Sequence, residues 1–141
     1  MSRRLVTRRQ RLVRVREAQH AMAIAETIRA KDVVQSLSDN AARVARVRGE
    51  LFEAQVAQMG GSFAAHRELA DRLEKAGKQL EGAIYDAHKV VNQKQDMQVS
   101  ANRDREIALR LKDRARALQE AQMEARIAAI TRYRRMKQQG E

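Results

Sequence analysis

The sequence contains no cysteine, no proline and no tryptophan, and only two phenylalanines and two tyrosines. The absence of cysteine excludes disulfides, thiolate metal sites and cysteine nucleophiles. The absence of proline leaves no segment barred from a helix interior. With few aromatics, and with much of its apolar fraction supplied by alanine, the chain has too little bulk for a thick globular core. A narrow apolar seam is expected instead. No run approaches the roughly 18 apolar residues of a membrane span. The N-terminal segment is basic but has no apolar stretch behind it, so it does not read as a secretory signal. Its Arg-rich, acid-poor start has the composition of an organelle transit peptide, yet the helical pattern runs through it without a break. His20, His66 and His88 share no metal-ligand spacing and read as surface-helix residues. No HExxH helix and no phosphate-binding glycine loop occurs. A thin helical protein also lacks the concave pocket small ligands need. Neither an enzyme nor a cofactor-binding protein is expected.

What remains is the material of long helices. Ala, Leu, Arg, Gln, Glu and Lys dominate the 141 residues, and 33% are charged, which is a coiled-coil composition. One break stands out, at Gly60-Gly61-Ser62. Paired glycines accept the left-handed conformation that ends a helix, and Ser62 can cap the next one. The single glycines Gly49, Gly77 and Gly82 lie among good helix formers and read as weak points inside helices. The expected fold is all-α: two long helices in an antiparallel coiled-coil hairpin forming a single domain. Helix 1 covers about 3–59, a turn 60–62, and helix 2 about 63–138. Along helix 1 the apolar stripe is read as Leu5, Leu12, Val15, Met22, Ile24, Ile28, Val34, Leu37, Ala41, Val44 and Leu51, with a drift of about a residue. Along helix 2, alternate steps of four and three run from Leu69, Leu73, Ala76 and Leu80 through Ala87, Val90, Lys94, Met97, Ala101, Asp104, Ala108, Ala115, Leu118, Gln122, Ala129 and Arg132 to Met136. This is a sustained heptad signal. The polar exceptions Lys94 and Asp104 either fix register or mark a looser stretch between Asn92 and Asn102.

A short connection between two long helices forces them antiparallel. Folding at the glycine pair sets residue i against roughly 120 − i, so Leu5 falls near residue 115 and everything past about residue 120 overhangs. An isolated helix is marginal in water, so this overhang is expected to fray until a partner covers it. The same folding gathers the charge. Residues 1–16 hold seven arginines and no acid, residues 17–100 are nearly neutral, and residues 101–141 carry 11 basic against 6 acidic residues. The two basic ends should therefore form one tip, with Ile127, Ile130, Tyr133 and Met136 offering apolar contacts within it.

The opening Leu12-Val13-Arg14-Val15-Arg16-Glu17, the post-turn stretch Leu69-Ala70-Asp71-Arg72-Leu73-Glu74-Lys75-Ala76 and the Arg-ended second helix resemble the FliJ family of flagellar type III export proteins. More loosely they resemble the stalk proteins of injectisomes. Where that family carries large aromatics near the turn, this chain has mostly Leu, Val and Ala. The resemblance implies a cytoplasmic, non-enzymatic protein peripheral to the inner membrane at the flagellar base. It implies a stalk-like tip in the hexameric export ATPase (FliI-like), alongside that ATPase's regulator (FliH-like), and a role as export chaperone or escort that meets export chaperones. It also implies contact with the export gate protein (FlhA-like). Carried onto this sequence, the ATPase-contact tip comprises Arg3, Arg4, Arg8, Arg9, Arg11, Ile127, Ile130, Tyr133, Arg134 and Arg135. The gate-contact positions are Leu69, Leu73, Ala76 and Leu80, with Asn40, Val44, Val47 and Leu51 on the first helix.

Two further classes stay open. A pI near 11 fits a basic helical nucleic-acid-binding protein, although no recognised motif and few stacking aromatics accompany it. The Arg-rich start with Leu5, Val6, Leu12 and Val13 also fits an amphipathic segment on anionic lipid.

Overall fold

The structure, a computed structural model, describes residues 2–57 and 63–140. It is all-α, with two helices packed against each other: α1, Ser2–Ala57, and α2, Phe63–Gln139. The expected turn at Gly60-Gly61-Ser62, with its Ser62 cap, lies outside the described residues. Gly49, Gly77 and Gly82 all fall inside helices, as expected of glycines flanked by strong helix formers. No helix among the described residues is long and apolar enough to cross a membrane.

Packing divides the chain into two units: Ala23–Met97, and Met1–Met22 with Gln98–Glu141. In the first, the Lys94 ammonium meets the Glu26 carboxylate at 3.1 Å and the Arg48 guanidinium meets Glu74 at 3.8 Å. A Cβ placed on Gly77 would sit 4.0 Å from Val44 Cγ1. In the second, Arg16 reaches Asp104 at 3.6 Å. Each of these pairs joins α1 to α2, and their residue numbers add to roughly 120, so within each unit the helices run antiparallel in the expected register.

The buried residues are small. In Ala23–Met97 they are Thr27, Ala30 and Val91; in the other unit they are Val6, Val13, Ala108 and Ala115. Two helices can cover only a stripe of each other, and small side chains let the backbones approach closely enough to close it. Thr27 is 3% exposed, and its hydroxyl donates to the Ala23 carbonyl at 2.9 Å, so burial leaves no unmet donor there.

The stripe differs in detail from the expected one. On α1, Val6, Val13, His20, Thr27, Val34 and Ala41 turn inward at strict seven-residue spacing, with Arg16, Ala23, Ala30, Leu37 and Val44 between them. The expected drift does not occur. Leu5, Val15, Met22 and Ile28, all assigned to the seam, are exposed. Polar residues hold some of the inward places, and a search for apolar periodicity steps around them. His20, read as a surface residue, is half-buried for this reason. On α2 the series through Leu73, Leu80, Ala87, Lys94, Ala101, Ala108 and Ala115 is covered as expected. Leu69, Val90, Met97 and Leu118 instead remain exposed, while Ala70, Val91, Gln98 and Gln119 turn inward. Adjacent apolar pairs such as Val90-Val91 fit either phase, and one residue is about 100° of helix rotation. Lys94 and Asp104, polar residues at heptad positions, both make ion pairs across to α1.

Candidate functional site

The candidate site grows from the way α2 outlasts α1 in the unit formed by Met1–Met22 and Gln98–Glu141. The seam closes over Ala108 and Ala115, at 2% and 5% exposure. From Glu120 to Gly140 every residue of α2 is exposed. The helix nevertheless continues to Gln139, and the Gly140 N–H donates to the Met136 carbonyl at 3.2 Å. The expected fraying is absent here. The segment propagates from a helix that already exists, so it bears no nucleation cost, and its residues are mostly good helix formers.

Where α1 begins, the two helices frame an open groove of about 740 Å³. Its apolar floor is Leu5, Ala115 and Leu118, and Arg4, Arg8 and Arg126 stand around it. No carboxylate lines this groove, and none of these three guanidiniums makes an ion pair among the described residues. Arg3 and Arg11 are exposed nearby and Arg9 is half-buried. The structure thus brings part of the N-terminal arginine run beside Arg126. Arg134 and Arg135 lie further along the uncovered helix.

The uncovered helix is apolar on two sides. Ala125, Ala129, Tyr133 and Met136, with Arg132, line a second shallow groove. At seven-residue spacing, Gln122, Ala129 and Met136 follow the inward series Ala101, Ala108 and Ala115. Met123, Ile127 and Ile130 form another stripe on an adjacent face, each more than half exposed.

The second predicted set lies in Ala23–Met97. The register places Asn40, Val44, Val47 and Leu51 roughly across from Leu80, Ala76, Leu73 and Leu69. Leu73, Ala76, Leu80, Val44 and Leu51 are half-buried in the seam, whereas Asn40, Val47 and Leu69 are exposed. Sequence reasoning passed over Phe52 and Phe63, which are 69% and 60% exposed. They are the only phenylalanines in the chain and they flank the glycine pair. Their rarity was the available signal. It also passed over Leu118 and Gln122 as groove residues, because both fit the heptad count for the seam.

Compared with known proteins, the chain matches no family model. No curated protein and no solved structure matches it significantly either.

Proposed function

We propose that this chain is a non-enzymatic, stalk-like component of the bacterial flagellar type III export apparatus. In this reading its basic end docks into the export ATPase ring and activates it. The unit formed by Ala23–Met97 contacts the export gate, and the protein serves as an export chaperone or escort in the cytoplasm at the flagellar base. The observation that carries the docking part is the meeting of Arg4 and Arg8 of α1 with Arg126 of α2 around one apolar-floored groove. Beyond it, α2 runs on uncovered through Ile127, Ile130, Tyr133, Arg134 and Arg135. Like charges held together without partners raise the local potential and steer an oppositely charged surface onto them. The flagellar assignment itself rests on the resemblance of the opening and post-turn segments to the FliJ family. The test is stimulation of purified flagellar export ATPase by the full chain and by a chain lacking residues 126–141. Stimulation by the full chain that is lost on truncation is expected; equal stimulation by both overturns the docking assignment.

One observation favours a second reading, a basic helical nucleic-acid-binding protein. All of the net charge of +11 belongs to the unit of Met1–Met22 and Gln98–Glu141. Retention on duplex DNA at about 150 mM salt, where non-specific phosphate contacts are already weakened, supports that reading. Release there combined with retention by the ATPase excludes it.

A further inference from the structure

We infer that the uncovered end of α2 is the seat of one acidic, amphipathic α-helix from another protein, which takes up along α2 the track that α1 leaves. The inference deepens the reading of this basic end as a docking end and does not depend on the flagellar assignment.

The first argument is continuity with an interface already built. Over the covered part of α2, α1 packs on the face centred on Ala108 and Ala115. The same face carries on past the start of α1 through Gln122, Ala129 and Met136, with Tyr133 beside it, and no described residue covers it there. Tyr133 and Met136 are 70% and 75% exposed. About five helical turns of this face are open, which matches the length of one ordinary partner helix. The groove floored by Leu5 and Leu118 lies where the end of such a helix would abut the start of α1.

The second argument is charge. From residue 125 to residue 140 the chain has five cations and no carboxylate. None of those cations makes an ion pair among the described residues, and Arg4 and Arg8 add to the same field. Two copies of this chain meeting along this face would set like charges together, which disfavours the pairing. A helix with apolar residues at heptad spacing and glutamates flanking them satisfies both the apolar face and the arginines. It is also the pattern already used within the protein, where Glu26 and Glu74 face Lys94 and Arg48 across the seam.

The probe is a labelled 21-residue helical peptide with Leu and Ala at the inward heptad positions and Glu beside them. Its binding to the full chain is read by fluorescence anisotropy against a counterpart with Lys for Glu. The Glu peptide is expected to bind at least about tenfold more tightly than the Lys peptide. The double variant Ala129→Glu, Met136→Glu is expected to weaken it about tenfold or more, and the charge-matched double variant Thr131→Glu, Gln138→Glu, on the opposite face, less than about threefold. Circular dichroism checks that each variant keeps its helix content. Equal binding of the two peptides, or an equal loss from the Thr131→Glu, Gln138→Glu variant, overturns the inference. So does a dimer in sedimentation equilibrium that the double variant dissociates, because a second copy would then be the occupant. Peptide binding without ATPase stimulation keeps this inference and sinks the flagellar reading. Stimulation without peptide binding does the reverse.

Discussion

The two units use the same helix pairing for different ends. Ala23–Met97 holds eleven basic and eleven acidic residues, and its cross-helix ion pairs, Lys94 with Glu26 and Arg48 with Glu74, match one charge to another. Met1–Met22 with Gln98–Glu141 holds eighteen basic and seven acidic residues. Its seam is buried at Ala108 and Ala115, yet α2 continues through some twenty exposed residues. A balanced, covered helix pair satisfies itself. A pair with surplus cations and an uncovered apolar face leaves something for a partner to complete.

The contrast between covered and uncovered helix can be tested with one substitution at two places. Ala108→Asp puts a carboxylate against α1 and should cost about 3 kcal/mol in thermal or urea unfolding. Ala121→Asp, on the exposed part of α2, should cost no more than about 0.7 kcal/mol, the difference in helix propensity. Similar effects at both positions would erase the distinction. The phase of the seam in the balanced unit is the next target. Val91→Ala should cost about 1–2 kcal/mol and Val90→Ala roughly half that or less, because Val91 is 7% exposed and Val90 43%. The opposite order would restore the phase expected from sequence. Gly82→Ala should stabilise the chain by about 1 kcal/mol, since a Cβ there meets nothing within 4 Å and the backbone is helical. The smallest effect is expected at Lys94→Met. Lys94 and Glu26 are both about a third exposed, so solvent screens the pair, and stability should move by less than about 1 kcal/mol. A larger loss, diminished by added salt, would make that ion pair a principal fastener of its unit.

Much of the fold was legible in the residues. The missing prolines, the strong helix formers and the heptads through Leu73, Leu80, Ala87 and Ala108 pointed to two antiparallel helices. The glycine pair, as the strongest break, fixed a register that the Arg16–Asp104 and Glu26–Lys94 contacts reproduce. The candidate site was legible only as composition. Arg3 to Arg11 and Arg126 to Arg135 could be counted, and the register could bring them near one another. Which apolar residues stand beside them could not be read. Leu118 and Gln122 satisfy a heptad count as well as their neighbours do, and Leu5 competes with Val6 for the same inward place.

Helix type, pairing direction and the crowding of positive charge in one unit follow from the order of residues alone, because they depend on local propensity, periodicity and where the chain turns back. The rotation of each helix about its axis was decided only when the two packed. Side chains as different as Val13, His20 and Thr27 then shared one seam, because that packing brings small residues into close contact and lets arginines and lysines reach carboxylates across the edge. The same packing determined where α1 stops covering α2, and so which face remains open.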